Sequence, residues 1–464
     1  MKISRVRYYL GLVLILLGSS FIAPAIVSLI YMEDFTIDYL ITAFIIALLG
    51  FLLWRNSVRE EISYADSLYI AVVSFLLPAL ANTLVMMVNG FDPWDSLFES
   101  VSGITTTGLS MFTTEELPKT IIFVRAWLQW IGGVGIVIMT IGFLLKPGTV
   151  AYQLFATHLR KEAYMPSVKI IARAVLGLYG VLTLMAFITY KLSGLDFYDA
   201  IVYALTTTST GGFTATNIFP KAIIWPAIIF MFLSAQSFTR YYLIIRFRRL
   251  SYLLKSIQIR SFIILNIIGF ILFYLALSWS GMMVSYTDTL FNTLSALSTT
   301  GYATIDMTSL PDSGKYILII LMLVGAGMGS TGGGIKQYRL IILFKELHRR
   351  LRKAYSPPEQ VEVVKIEDKP INDEEIYSHL LVINLYIIAL IISLIIFLLS
   401  GYEFMDSLFN ISSALGTVGL QTSLLNNSIE WYLKLVISID MFLGRLEVVT
   451  VMAIISHMID KLRG

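Results

Sequence analysis

Asp406-Ser407-Leu408-Phe409-Asn410-Ile411-Ser412-Ser413-Ala414-Leu415-Gly416-Thr417-Val418-Gly419-Leu420 is the stretch that decides the fold. It is a short amphipathic segment that an acid opens and a Thr/Gly cluster closes. Its opening recurs nearly unchanged at Asp95-Ser96-Leu97-Phe98 and Asp288-Thr289-Leu290-Phe291, and more loosely at Asp199-Ala200-Ile201-Val202. About ten residues after each opening stands a cluster. They read Thr106-Thr107-Gly108-Leu109, Ser209-Thr210-Gly211-Gly212, Thr299-Thr300-Gly301-Tyr302 and Thr417-Val418-Gly419-Leu420. Each copy is preceded by an apolar segment and followed, after a polar connector, by another.

The segment from acid to cluster is too short to cross a bilayer, which takes about 20 residues as a helix. It is therefore expected to enter and turn back on one face. Non-helical backbone at that depth is tolerated only where protein buries it or it lines water, and four loops around one axis meet that condition. The expected unit is helix, half-helix, filter, helix. In K⁺ channels that layout lets backbone carbonyls replace an ion's hydration shell. Glycine supplies backbone angles that a Cβ resists. The C-terminal end of each half-helix, carrying about half a negative elementary charge, favours a cation below. Selectivity would then reside in backbone, without a charged ligand. The competing explanation, small residues for close helix packing, does not account for four clusters at one place in four copies.

Composition agrees with a membrane setting. Hydrophobic residues make up 57% of the chain and charged residues 14%, which excludes an ordinary soluble domain. Apolar stretches long enough to span recur from Leu10 to Met32, Leu40 to Trp54, Leu68 to Val88, Val175 to Leu192 and Leu380 to Leu399. The expected fold is all-α, an integral membrane protein with four helix, re-entrant loop, helix repeats around a pseudo-fourfold pore. Residues 1–60 form an N-terminal helix pair, 61–150, 151–250 and 251–350 the first three repeats, 351–375 a cytoplasmic linker, and 376–464 the fourth repeat. Basic clusters (Lys2, Arg5 and Arg7; Arg55 and Arg59; Arg160 and Lys161; Arg246 through Arg260; Arg339 through Lys353) fall on one side, which the positive-inside rule makes cytoplasmic, with both termini. The N-terminal apolar run leads into further spans without a clear cleavage site, so it reads as a retained helix. Acids on the opposite side (Glu33, Asp34, Asp92, Asp95, Glu115, Asp196, Asp199, Asp288, Glu403, Asp406) are expected to give cations an attractive mouth.

Other chemistries find little support. A net charge of +3 does not argue for nucleic acid, and with no cysteine there is no disulfide, thiol nucleophile or thiolate metal site. No cofactor is implied within the chain. His158, His348, His379 and His457 are scattered, read as surface residues, and lack metal spacing. A membrane-embedded hydrolase would need a nucleophile and a base in mutual reach, and neither is evident.

Six glycines in ten residues, Gly325 to Gly334, interrupt an apolar helix. Each costs about 1 kcal/mol against alanine there, so a break is expected. Broken membrane helices line ion sites and can move, which makes Gly325, Gly327, Gly329, Ser330, Thr331, Gly332, Gly333 and Gly334 a candidate gate, with small-residue packing as the alternative. The run lacks the Gly-Lys-Ser/Thr of a phosphate loop, and Met328 breaks a Gly-x-Ser-x-Gly elbow. Arg445 lies inside the last apolar helix, where a charge costs at least about 2.5 kcal/mol, so it should face the pore or a partner. Glu447, two residues on, points elsewhere. Arg125 reads as an anchor near the outer interface. No acid buried beside a filter is apparent. The charged stretch His348 to Glu375, with Pro357-Pro358, reads as a solvated linker.

With its filters, Gln129-Trp130-Ile131-Gly132-Gly133-Val134-Gly135, Gly329-Ser330-Thr331-Gly332-Gly333-Gly334-Ile335-Lys336 and Gly444-Arg445-Leu446-Glu447, the chain resembles over nearly its whole length the TrkH/KtrB family of K⁺ uptake proteins and its HKT relatives. The extra N-terminal pair is TrkH-like and implies ten spanning helices. The resemblance implies K⁺ uptake through a gated pore, with K⁺ held only at the filter residues and Arg445 as an electrostatic barrier below them. A K⁺/H⁺ or K⁺/Na⁺ symporter on the same scaffold is the alternative. Gly108, where a serine is associated with Na⁺ preference in HKT relatives, implies K⁺. Family partners would be the lipid bilayer, a second copy in a homodimer, and a nucleotide-binding regulatory subunit of TrkA/KtrA type, docked on the linker and the Arg246 to Lys255 cluster. One departure stands out. Ser234-Ala235-Gln236-Ser237-Phe238-Thr239-Arg240 lacks the usual glycine pair, so packing or gating there is expected to differ.

Overall fold

The computed structural model describes residues 3–60, 64–144, 168–248, 256–355, 357, 362–367 and 369–446. Glu447, Arg160, Lys161, Lys255, His158 and His457 lie outside them. The described chain is mostly helical. The helices are α1 (Ile3–Ser20), α2 (Ile22–Tyr31), α3 (Thr36–Arg55), α4 (Tyr64–Val88), α5 (Pro93–Ile104), α6 (Lys119–Leu144), α7 (Val168–Leu192), α8 (Phe197–Thr208), α9 (Ile224–Ser234), α10 (Phe238–Phe247), α11 (Ile257–Trp279), α12 (Tyr286–Ser298), α13 (Asp312–Val324), α14 (Gln337–Lys353), α15 (Asp373–Leu399), α16 (Phe404–Leu415) and α17 (Trp431–Leu446).

Among these, 7 helices are long and apolar enough to cross a membrane, or up to 8 if the bent pair α9–α10 counts as one span. Ten are expected from the sequence. The difference lies where helices are cut or short: α13 ends after 13 residues at the glycine run, α17 has 16 described residues, and α9 and α10 meet at 86°. Outer faces of α3, α11 and α15 expose Phe44, Ile45, Ile263, Ile264, Ile391 and Ile392. In water such surface is unfavourable, and lipid is the solvent that suits it.

α1 and α3 cross through glycine. A Cβ on Gly11 would run into the Gly50 carbonyl, and one on Gly50 into the Gly11 carbonyl, the close backbone approach typical of membrane helices. The N-terminal helices are tied inward by side chains. Tyr39 Oη donates to Asn82 Oδ1 at 2.9 Å, and Asn82 Nδ2 donates to Ser100 Oγ of α5 at 2.9 Å.

The four short helices begin before the Asp tetrapeptides. Asp92, Asp196 and Ser285 are side-chain N-caps, accepting from Asp95 N, Asp199 N and Asp288 N. In each case the acid of the tetrapeptide stands in the first turn, where the helix dipole stabilises it.

The stretch after α14 is not merely solvated, contrary to the sequence expectation. β1 (Lys365–Ile366) and β2 (Lys369–Pro370) pair antiparallel, Ile366 opposite Lys369. Val364, Ile366 and Ile371 are buried in a cluster with Tyr338, Ile342, Ile376 and Met328 of the glycine run. Alternating apolar residues inside a charged stretch supply the reason. On α14, Glu346 pairs with Arg349 and Arg350, both at 2.7 Å, and hydrogen bonding to Arg349 is the main cause that holds its carboxyl below the usual range.

Candidate functional site

Each short helix ends the same way. Thr106, Thr210, Thr299 and Thr417 adopt left-handed backbone, φ 55°, 52°, 57° and 46°. Their N–H groups donate back to Gly103, Thr207, Ala296 and Ala414 carbonyls, and the next N–H reaches Ser102, Thr206, Ser295 and Ser413 carbonyls. This pair of bonds satisfies carbonyls that a helix end leaves open. A non-glycine residue held there costs about 1–3 kcal/mol, so surrounding contacts must fix it.

Two residues on, Gly108, Gly212, Gly301 and Gly419 have φ 88°, 82°, 83° and 102°. A Cβ on Gly108 would collide with the Gly211 carbonyl, on Gly212 with that of Thr300, on Gly301 with that of Val418, and on Gly419 with that of Thr107. These contacts run from the first turn to the second, third and fourth and back to the first. The four turns therefore form a closed ring of backbone, buried except at Gly108 and Gly301, which are half-buried. The ring also corrects the register read from sequence. In the second turn Thr210 and Gly212 match Thr106 and Gly108, so Ser209 ends the helix and Phe213 takes the place of Leu109. Two adjacent glycines made the offset invisible in sequence.

The residue after each ring glycine is an anchor. Leu109, Phe213, Tyr302 and Leu420 are all buried, and Tyr302 Oη lies 2.5 Å from Thr206 Oγ1 and 2.9 Å from Thr207 Oγ1. Side chains on the short helices clamp the ascending loops. Asn292 and Asn410 each bond both the N–H and the hydroxyl of a threonine, Thr304 and Thr422. Glu99 does this in the first turn, its Oε1 accepting from Ser110 Oγ and Met111 N, both at 2.7 Å. Gln421 then joins the fourth loop to the first through Ser110 N and Ser110 O.

Four expectations change here. An acid buried beside a turn does exist: Glu99, 1% exposed, with its Oε2 3.2 Å from Arg125 Nε. Arg125 is correspondingly not an interface anchor. It is 3% exposed and its guanidinium lies over the Phe213 ring at 3.9 Å. Asp95 and Asp406 pair with Lys434 at 2.5 Å and Lys315 at 2.7 Å, so they tie helices together rather than adding to a negative mouth. A second buried acid, Asp440 on α17, accepts from Ser393 Oγ at 2.8 Å. His379 is also buried, with Nε2 3.8 Å from Glu375 and its ring edge-on to Tyr338, whereas His348 is exposed. No His/Cys/Asp/Glu group suited to a metal occurs among the described residues.

Beneath the ring lies the glycine run. Residues 325–336 leave the helix and fold back, with Ala326 N donating to Gly333 O, and Ile335 N and Lys336 N to Leu323 O and Val324 O. Gly325, Gly329 and Gly334 have positive φ, and Gly327 N donates to Ala235 O. Gly332 N donates to Ser330 Oγ at 3.2 Å, and Gly333 N donates to Thr299 Oγ1 at 2.8 Å. A Cβ on Gly333 would meet Thr417 Oγ1, so the segment touches the base of the third and fourth turns. Thr331 Oγ1 donates to Thr208 O at 3.1 Å and Ser234 O at 3.2 Å. Arg445 is 2% exposed and has no carboxylate partner among the described residues. It donates to Thr331 O at 2.6 Å and Gly132 O at 3.0 Å.

The helix lacking the glycine pair is broken too, at residues 235–237. Phe238 N donates to Gly329 O at 2.9 Å, so the two breaks interlock. The polar residues Ser234, Gln236 and Ser237 inside an apolar helix are the signal that could have revealed it. Gln129, which in sequence is only one residue of the Gln129–Gly135 motif, donates from Nε2 to Gly211 O at 2.5 Å.

Long apolar helices around a ring of closely packed backbone turns define a multi-pass membrane protein. The chain belongs to the TrkH family, described as cation transport protein, whose profile matches residues 33–462. It is 29% identical to an uncharacterized cation transporter of Methanocaldococcus jannaschii, over 99% of this chain and 96% of that one. It is 26% identical to the Trk system potassium uptake protein TrkH of Vibrio parahaemolyticus, over 96% and 97%. The crystal structure of the potassium transporter TrkH from Vibrio parahaemolyticus shares the fold, with TM-score 0.87, 24% identity and 98% of both chains covered.

Proposed function

We propose that the chain carries K⁺ into the cell through a gated, channel-like pore whose selectivity filter is the ring of four turns. The closed circuit Gly108–Gly211, Gly212–Thr300, Gly301–Val418 and Gly419–Thr107 carries this reading. Four similar carbonyl-bearing strands around one axis are the arrangement in which backbone dipoles replace an ion's water shell. In this reading α5, α8, α12 and α16 are the half-helices of four re-entrant loops in four repeats. Their carbonyl ends point a partial negative charge toward the cavity. The naming of relatives as potassium uptake proteins, and glycine at position 108, favour K⁺ over Na⁺.

The 325–336 segment with Arg445 forms the gate. A cation leaving the filter meets a packed loop and a buried guanidinium, so conduction requires both to move. The driving force is the membrane potential, about 2.3 kcal/mol per charge for each 100 mV. With basic segments cytoplasmic, both termini face the cytoplasm. A homodimer and a cytoplasmic nucleotide-binding regulatory subunit of TrkA/KtrA type are the partners proposed for it.

Reversal potentials in proteoliposomes test the reading. K⁺ and a second ion are varied separately. A potential that follows K⁺ alone is expected. A shift with H⁺ or Na⁺ at fixed K⁺ would overturn uniport, and absence of K⁺ selectivity would overturn the filter.

A further inference from the structure

We propose that Gln129 is a specificity-determining positioning residue: its side-chain amide braces the second turn of the ring in place of the brace that turn lacks. The inference rests on the ring being a cation filter.

The first and fourth turns are braced from their own helices. Gly108 N donates to Ser102 Oγ and Gly419 N to Ser413 Oγ, both at 3.0 Å. The matching residue for Gly212 is Thr206, six positions earlier. Its hydroxyl is engaged elsewhere, with the Val202 carbonyl at 3.0 Å and Tyr302 Oη at 2.5 Å. Gln129 supplies the hold from α6. It is 0% exposed, its Nε2 donates to Gly211 O at 2.5 Å, and its Oε1 accepts from Phe213 N at 3.3 Å. One amide thus spans the ring glycine, bonded to the residues on either side of it.

This geometry also accounts for Gly211. The equivalent positions carry side chains, Thr107, Thr300 and Val418, and Gly211 does not have positive φ. Its own backbone needs no glycine. A Cβ there would run into Gln129 Cδ and Oε1. The Gly-Gly pair in the second turn is therefore one ring glycine and one clearance for Gln129.

The consequence concerns one carbonyl in four. A carbonyl oxygen has two acceptor sites. With Gln129 holding one, Gly211 O is fixed in place and its field at the ion is weakened relative to those of Thr107, Thr300 and Val418. Number and field strength of the carbonyls set K⁺/Na⁺ discrimination in such filters.

The test measures K⁺/Na⁺ permeability ratios from bi-ionic reversal potentials of the full chain in proteoliposomes. Gln129→Leu keeps the bulk and loses the donor; Gln129→Glu keeps the shape and places an acceptor against Gly211 O. Both are expected to lower the ratio about fivefold to tenfold, the effect of one hydrogen bond, while monodispersity and thermal melting stay near wild type. A double-mutant cycle follows. Gly211→Ala alone should impair selectivity by collision, and should have much less effect when added to Gln129→Ala. An unchanged ratio in Gln129→Leu, or strict additivity in the cycle, would overturn the proposal. A wild-type protein without K⁺ selectivity would overturn the filter reading itself. A melting loss in Gln129→Leu with an unchanged ratio in its folded fraction counts against specificity and for simple packing.

Discussion

Arg445 donates to the Thr331 carbonyl at 2.6 Å, which makes the guanidinium a strut holding the glycine run under the ring as well as a charge below it. Its second bond, to Gly132 O, reaches a different helix. If the proposed gate is this segment, opening requires these bonds to break and the charge to shift.

Replacing Arg445 by methionine should accordingly increase K⁺ flux. Both roles act in one direction, because methionine neither repels a cation nor anchors Thr331. Two unit charges about 4 Å apart repel by about 4 kcal/mol at an effective dielectric of 20. Since about 1.4 kcal/mol off a barrier is tenfold in rate, an increase of about tenfold or more is expected. Arg445→Lys keeps the charge but loses the fork, and should fall between. Rubidium-tracer uptake into proteoliposomes reads the order; equal flux in all three proteins would contradict both roles.

The ring register makes a sharper prediction. Gly419→Ser and Gly212→Ser place a Cβ in left-handed backbone that already touches the next turn, Thr107 O in one case and Thr300 O in the other. Both should reduce K⁺/Na⁺ discrimination, by a similar factor, because the two positions are equivalent around the axis. Bi-ionic reversal potentials measure this. Loss at Gly419 with full selectivity retained at Gly212 would mean that the second turn is not part of the filter.

Much of this arrangement is legible in the sequence, and the parts that are not share a cause. The four Thr/Gly clusters, the glycine break and the buried Arg445 stand out because each violates the apolar helical pattern around it. The offset in the second turn is hidden because Gly211 and Gly212 serve two unrelated purposes, clearance and positive φ. Pairings such as Lys434 with Asp95, 339 residues apart, leave no local trace. Glu99 carries no sequence signal of its burial, because Arg125 and the Ser110 loop that close over it come from other segments. Periodicity and motif spacing report a segment's own conformation, whereas these features belong to contacts between segments.

One of those distant pairs yields a stability prediction. Lys434 Nζ lies 2.5 Å from Asp95 Oδ1 and 2.8 Å from Asn427 O, with both ionic side chains 6% exposed. Removing one member leaves the other charge buried and uncompensated, which costs about 3–5 kcal/mol. Lys434→Met and Asp95→Asn should each lower the melting temperature in detergent, and the double variant should melt higher than the sum of single effects predicts. Additive losses would show that the pair is not coupled.

The last prediction concerns Glu367, at the tip of the hairpin after α14. Its Oε1 accepts from Arg240 Nη2 at 2.6 Å and from Ile257 N at 3.1 Å. One carboxylate therefore joins the hairpin to α10, just past the second break, and to the start of α11. The hairpin's Ile366 shares a buried cluster with Met328 of the glycine run. Glu367→Ala removes a charge-assisted bond worth about 1.5–3 kcal/mol, so the hairpin should detach more often and take packing away from Met328. The expected outcome is faster amide exchange in residues 325–336 and higher basal K⁺ flux, with K⁺/Na⁺ selectivity unaltered because no filter contact changes. Faster exchange confined to residues 362–371, with flux at the wild-type level, would mean that the hairpin is mechanically separate from the gate.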